Sequence, residues 1–342
     1  MKAAVINRIG GPDVIESAEL PDPSPGPGEL LVRVRACALN HLDVWTRMGQ
    51  SGRPVPFPHV LGNDVAGEIA ALGAGVAGFA AGQRVMLQPG VSCGRCFACL
   101  SGDDNTCREY KVLGYQLHGG YAEYVRCPVA NAIALPDGFT FEEAAAFPLV
   151  FVTAWHMLIG RARVKSGEDV LVWAAGSGVG MAAIQVAKLC GARVIATAGT
   201  DAKLELARSL GADHVLNHRS QDVAAEVRTL TRKKGVEIVV EHVGEATWEA
   251  SILSLAARGR LVTCGATTGP NGKTELRHLF AKQLSLLGSY MGTKAELLEA
   301  STHFFARRLR TVVHATLPLR EARRAHEMME ASEHFGKIVL VP

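Results

Sequence analysis

Four of the eight cysteines, Cys93, Cys96, Cys99 and Cys107, fall within 15 residues, whereas Cys37, Cys127, Cys190 and Cys264 stand singly. The spacing Cys-x2-Cys-x2-Cys-x7-Cys, interleaved with Gly94 and Gly102, lets four thiolates close around one tetrahedral zinc ion. A site with every position filled by protein leaves none for substrate, so the role implied is structural. An iron–sulfur cluster or a redox-active Cys-x-x-Cys pair is the alternative reading of the same residues. A disulfide framework is the weaker one in a chain of 342 residues. The single cysteines read as small buried apolar residues.

The second group with chemical potential is the turn Gly176-Ser177-Gly178-Val179-Gly180, which follows the apolar run Val170–Trp173. It opens a helix whose Ala182, Ala183, Val186, Ala187 and Cys190 form one small-residue face. Glycines there let the backbone approach a pyrophosphate, with the positive helix terminus facing it. The plain alternative is a tight turn. About 20 residues further on, where an NAD site usually places an acid for the ribose hydroxyls, stands Ala198, inside Ala196-Thr197-Ala198-Gly199-Thr200. Without that carboxylate nothing repels a 2′-phosphate, and Thr200 and Lys203 could donate to it, so NADP(H) is favoured over NAD(H). Against this, Asp201 could simply cap a helix and Lys203 be a solvated charge.

The elements that must position these residues divide into two grammars. The first third alternates in Leu31–Ala36 and has strand-like runs at Val65–Ile69, Arg84–Leu87 and Tyr121–Val125, with Pro21–Gly28 as an extended surface connection. From about residue 150, six apolar runs alternate with helical segments: Val170–Trp173, Arg193–Ala196, His214–Leu216, Val236–Val240, Arg260–Thr263 and Ser285–Ser289. That pattern implies a doubly wound parallel sheet with right-handed crossovers. Helices near Ala295–Ala306 and Leu319–Glu330 and a strand at Ile338–Val341 are expected to return to the first domain. The expected domains are therefore 1–150, 151–292 and a return segment 293–342, with the cysteine lobe at 93–107.

Composition removes several classes of function. Hydrophobic residues at 48% and charged residues at 20% exclude general disorder. The balance of 36 basic against 33 acidic side chains leaves +3, too little for general affinity to nucleic acid or anionic membrane. The longest apolar stretch, Ala144–Val152, is nine residues long and contains Pro148, far short of a membrane helix. The first residues, Met1–Arg8, carry no secretory pattern, so the expected location is the cytoplasm.

Taken together, these motifs resemble the medium-chain dehydrogenase/reductase superfamily of zinc alcohol dehydrogenases and quinone oxidoreductases. The resemblance implies an α/β fold, with a Rossmann domain and a β-rich GroES-like catalytic domain carrying the zinc lobe. The cysteine lobe is similar to the structural zinc lobe of the alcohol dehydrogenases, while the glycine turn is more similar to the quinone oxidoreductase branch, which generally uses NADPH. In the alcohol dehydrogenases a catalytic zinc is held by two cysteines and a histidine. Aligned by motif, those positions are Asn40, Asn63 and Leu149 here, and Asp64 replaces a neighbouring glutamate. Amides and an alkyl group are poor zinc ligands, so a catalytic zinc is not expected.

Asn40-His41-Leu42-Asp43-Val44-Trp45-Thr46-Arg47 is similar to the Asn-x-x-Asp-x-x-x-Arg segment of the zinc-free branch. The resemblance implies Asn40, Asp43, Asn63 and Thr153 as catalytic candidates. It places Thr153 beside the nicotinamide, His41 and Lys337 at the pyrophosphate, and Cys264-Gly265-Ala266 and Ser289-Tyr290-Met291 at the nicotinamide end. Without it, Asp43 reads as a helix cap, Asn63 as a turn residue and Lys337 as an exposed cation. Cys264 is not expected to act as a nucleophile. The function expected is NADPH-dependent reduction of a quinone or activated double bond on a small-molecule substrate. The alternatives are an alcohol or aldehyde dehydrogenase and an NADPH-binding protein with a structural or binding role. The apolar run Leu284–Tyr290 suits an edge strand that pairs with a second copy, giving a homodimer or homotetramer.

Overall fold

The protein is described here by a computed structural model covering residues 1–342. Contacts divide it into two units: residues 1–149, 293–305 and 310–342, and residues 150–292 and 306–309. No helix is long and apolar enough to cross a membrane.

The first unit is built on a seven-stranded sheet. Its longest strand, Glu29–Ala38, buries Leu30, Val32, Val34 and Ala36 in the alternation the sequence suggests, and pairs antiparallel with Asp64–Leu72. The last strand, Lys337–Val341, packs on its other side through Val339↔Ala38 and Leu340↔Cys37. Lys337–Val341 pairs in parallel with Val313–Pro318, a strand the sequence reading missed because its residues alternate between half-buried and exposed. The expected strand at Tyr121–Val125 lies further along, at Tyr124–Pro128. Tyr121 is instead fully buried in the core beside Cys37, Leu61 and Val65.

The second unit holds the expected doubly wound sheet. Its six strands, β1 (Asp169–Val172), β2 (Arg193–Ala198), β3 (His214–Asn217), β4 (Val236–Glu241), β5 (Leu255–Thr263) and β6 (Ser285–Gly288), are all parallel. Their spatial order is β3-β2-β1-β4-β5-β6, so the order reverses between β1 and β4, beside the glycine turn. Strand β1 is buried along its whole length, as a central strand covered on both faces must be. Leu171, Ile195, Val239 and Leu261 form the middle of its core.

Glu241, at the end of β4, is fully buried and accepts four hydrogen bonds. Its donors are the N–H groups of Val243 (2.6 Å) and Gly244 (3.0 Å) and the hydroxyls of Thr247 (2.8 Å) and Ser251 (2.7 Å). The carboxylate thereby locks the β4 end to the helix Glu245–Ser254. Glu241→Ala leaves those donors unpaired in the interior, so a loss of about 3 kcal/mol is expected. Denaturant titration of the second unit's signal checks this; a loss below about 1 kcal/mol would show that water replaces the carboxylate.

Candidate active site

The glycine turn is fastened to β2 before it meets any ligand. The Ala174 and Ala175 N–H groups donate to Thr197 Oγ1 (3.2 Å) and Thr197 O (2.7 Å). A Cβ at Gly180 would come within 2.4 Å of Ala174 O, so glycine is required for the helix Gly178–Leu189 to pack this close to the strand. Ser177 Oγ caps that helix by accepting from Gly180 N–H at 2.9 Å. His242 Nε2 lies 3.0 Å from Trp173 O and 3.3 Å from Ser177 Oγ, and burial keeps this imidazole neutral below its ordinary range. The result is a helix terminus with a bare backbone cradle, which fits a pyrophosphate.

Beyond Ala198 the chain carries no acid until Asp201, which is the first residue of its helix and not its cap. Thr200 is the cap, accepting from Lys203 N–H at 3.4 Å. The Lys203 side chain folds back over the turn: a Cβ at Gly176 would meet its Cδ at 3.0 Å and its Nζ at 3.6 Å. Two further cationic or ionisable groups arrive from the end of β3, which pairs with β2 through Ala198↔Asn217. A Cβ at Gly199 would lie 2.8 Å from Arg219 Nε and 3.2 Å from His218 Nε2. Burial and Arg219 pull Lys203 below its ordinary pKa. His218 and Arg219 were missed in the sequence because only strand order brings the residues after β3 beside those after β2.

At the carboxyl ends of β5 and β6, Thr263, Cys264, Gly265, Ala266, Trp248 and Ser289 line part of a pocket of about 390 Å³. Burial and the Glu241 charge push the Cys264 thiol up to about 12, so it remains protonated and unreactive. Tyr290 and Met291 follow; Met291 is buried with φ 53° and Tyr290 is exposed. Thr153 is buried in the helix Pro148–Trp155.

In the first unit, Asn40, Asp43, Asp64 and Lys337 form one network. Lys337 is only 2% exposed, not a solvated terminal cation. Its ammonium donates to Asn40 Oδ1 (2.6 Å) and Asp64 Oδ2 (3.1 Å). Asp64 also accepts from Asn40 Nδ2 (2.9 Å) and from Leu149 N–H (2.8 Å). Asn40 holds the N-cap position, and Asp43, at N3, closes the capping box by accepting from Asn40 N–H while also accepting from Gly62 N–H, both at 2.8 Å. Tyr121 bonds the Asp43 carboxyl and reaches His326 Nε2 at 3.2 Å. Asn63 donates to Leu113 O at 2.6 Å while its Oδ1 is buried without a partner. His41 opens the same helix, edge-on to Trp45. No thiolate or imidazole stands at Asn40, Asn63 or Leu149, and the Asp64 carboxylate already accepts from three donors.

The four lobe thiols lie within 4.8 Å of one another, with Cys96–Cys99 at 3.6 Å and Cys93–Cys99 at 3.8 Å. Tetrahedral zinc with Zn–S near 2.3 Å needs about 3.8 Å between sulfurs, so the lobe fits that ion. Donation from the Arg95 and Cys96 N–H groups pulls the Cys93 thiol down to about 6, toward the thiolate a metal requires.

Comparison with known proteins matches residues 26–137 to the alcohol dehydrogenase GroES-like domain and residues 178–307 to the zinc-binding dehydrogenase family. A quinone oxidoreductase of Salmonella typhimurium is 32% identical, with 98% of each chain covered. A structure described as an NAD-dependent alcohol dehydrogenase is 49% identical, covers 100% of both chains and superposes with a TM-score of 0.97. A mycobacterial protein solved with NADPH is 32% identical over 100% of both chains, with a TM-score of 0.85.

The Asp43 carboxyl has a measurable signature. Burial pushes it up to about 7, although the Asn40 and Gly62 N–H groups hold it down. An unfolded aspartate titrates near ~3.9, so between about pH 4 and 7 the folded chain retains a proton that the unfolded chain has released. Stability from this group is therefore present at low pH and falls as pH rises through that window, by on the order of 4 kcal/mol. Denaturation of the wild type and Asp43→Asn at pH 4.5, 7 and 8.5 isolates it: the difference should change across the window and level off above it. A difference independent of pH would mean that Asp43 is charged throughout.

Proposed function

The chain belongs to the medium-chain dehydrogenase/reductase superfamily, and from that premise we propose an NADPH-dependent reductase of quinones or activated carbon–carbon double bonds, with a structural zinc and no catalytic one. The observation that carries this reading is the Asn40–Asp64–Lys337 network. It offers a donor set that does not fit a catalytic zinc: two amides, an alkyl side chain and a carboxylate already neutralised by a buried ammonium. The lobe thiols support one zinc of structural role. The glycine turn and the Lys203–His218–Arg219 cluster support a dinucleotide with a 2′-phosphate, and the expected cytoplasmic location is consistent with its free thiols.

NADPH, when bound, supplies the hydride. The chain's own task is to hold the substrate and stabilise the negative charge that develops on its carbonyl oxygen, for which fixed N–H and O–H donors suffice. Asn40 and Thr153 are the proposed donors. Asn40 suits the role because Lys337, Asp64 and Asp43 fix both its amide and its backbone, leaving the second Nδ2 proton to donate. His41 and the turn Gly176–Gly180 are proposed at the pyrophosphate, and Cys264–Ala266 and Ser289–Met291 at the nicotinamide end. Lys337, proposed from the resemblance as a pyrophosphate contact, is better read as the group that orients Asn40.

The relative named as an NAD-dependent alcohol dehydrogenase favours a second reading, alcohol or aldehyde oxidation with NAD. Metal analysis together with a panel of enones, quinones and alcohols, assayed with both coenzymes, separates the two. The expected outcome is one tightly held zinc per chain, enone or quinone reduction with NADPH, and a loss of about 10²-fold in kcat/KM for Asn40→Ala. Two zincs, with alcohol oxidation alone, would establish the second reading. NADPH binding without turnover on any substrate would leave a binding role.

We also propose a homo-oligomer formed through β6. This strand lies at the sheet edge and carries neither charge nor proline. Leu276 (65% exposed), Phe280 (70%) and Tyr290 (52%) flank it. Such an edge is open to pairing with a second copy. Light scattering is expected to give at least a dimer, reduced to a monomer by Leu286→Lys; a wild-type monomer would refute the pairing.

A further inference from the structure

The carboxylate that receives the Asn40 N–H is itself held from behind by a chain of buried groups. Asp43, Tyr121 and His326 are all fully buried. The Tyr121 phenol bonds the Asp43 carboxyl, and its oxygen lies 3.2 Å from His326 Nε2, the two rings meeting edge to face at 87°. His326 belongs to the helix Ala322–Glu330, whose last residue accepts from Arg47 Nη2 at 2.5 Å. Arg47 ends the helix that Asn40 caps. The helix that carries Asn40 at one end is thus tied at its other end to the element that carries His326.

We propose that Tyr121 and His326 are positioning residues for Asn40: a directed chain, from His326 Nε2–H through the Tyr121 hydroxyl, holds Asp43 as a carboxylate on the Asn40 backbone, and the imidazole changes tautomer when Asp43 gains a proton. The inference rests on the reading of Asn40 as the donor to substrate and deepens it. Asp43 is met by two backbone N–H groups, from Asn40 and Gly62, which can only donate. An ionised Asp43 accepts from Tyr121 as well, and the phenol oxygen in turn accepts from His326 Nε2–H. Nδ1 is then a bare lone pair, and it is the ring atom without a partner. An unpaired lone pair is tolerated in the interior better than an unpaired N–H. Burial first, then Arg47 and His41, pull the imidazole down to about 3, so the ring is neutral in both states.

A protonated Asp43 reverses the chain. Of its hydrogen-bond partners only the phenol oxygen can accept, so the Tyr121 proton must turn to Nε2 and the ring proton must sit on Nδ1. Asp43 gains one proton; the phenol and the imidazole each keep one, the latter lost from Nε2 and regained at Nδ1 by exchange with water. The other groups that act on Asp43 are Lys337 and Asp64, from the strands Lys337–Val341 and Asp64–Leu72, and it acts in turn on the Cys37 thiol of Glu29–Ala38. Those that act on His326 come from the helix His41–Arg47.

Magic-angle-spinning 15N spectra of the full-length protein labelled at histidine, with His326 assigned by its loss in His326→Gln, test the chain. His326 is expected as the Nε2–H tautomer at pH 8.5 and as the Nδ1–H tautomer at pH 5.5, with no imidazolium at either; in Tyr121→Phe the tautomer should not change with pH. One tautomer at both pH values in the wild type, or an imidazolium, would overturn the chain. Steady-state kinetics of enone and quinone reduction test the positioning. Tyr121→Phe and His326→Leu should each lower kcat at least about 10-fold while KM for the substrate stays within about 2-fold. His326→Gln, whose amide can donate to the phenol or accept from it, should restore most of the loss. A lower melting temperature with kcat unchanged in Tyr121→Phe would show the chain to be purely structural and overturn the positioning role. A wild type that shows the tautomer change but reduces neither substrate would instead overturn the reading of Asn40, and the positioning role with it.

Discussion

A carboxylate taken out of water must be given donors, and Asp64 obtains them from three parts of the chain far apart in sequence. Its oxygens accept from Asn40, from the Leu149 backbone and from Lys337. Removing one partner of a buried ion pair strands the other at a cost of several kcal/mol, so this meeting of segments is strongly constrained. The strands Glu29–Ala38, Asp64–Leu72 and Lys337–Val341 are fixed beside one another partly by what Asp64 requires at their ends. Asn40 is held from both ends of its amide as a by-product of the same arrangement.

The second unit solves a related problem with the signs separated. At the end of β4 a buried carboxylate, Glu241, is satisfied entirely by neutral donors and organises the neighbouring helix start. On the other side of β1, beyond the ends of β2 and β3, Lys203, His218 and Arg219 gather close enough to act on one another's charge. The crossover order of the sheet puts these two environments on opposite sides of the glycine turn. One is a buried acid satisfied by its neighbours, and the other is a group of basic side chains.

What the sequence revealed and what it hid follow from the range of the interactions. The six parallel strands were readable because each is a short apolar run bounded by turns, a property local to the run. The four-cysteine lobe was readable for the same reason, since its ligands lie within one loop. The Val313–Pro318 strand was hidden because it has no fully buried face. Lys337 looked like an exposed cation because nothing near it in sequence announces Asp64 or Asn40. His218 and Arg219 carry no motif at all; they matter because β3 lies beside β2, and strand adjacency is written in packing.

The buried Lys337 ammonium has a consequence for supply. A metal cofactor is acquired, so its occupancy depends on the ion's availability, on competing chelators and on delivery. An ammonium that is part of the chain has full occupancy from the moment the strand Lys337–Val341 takes its place. In the enzyme as proposed, the polar network around Asn40 is thus indifferent to metal starvation, and any sensitivity to it is confined to the cysteine lobe.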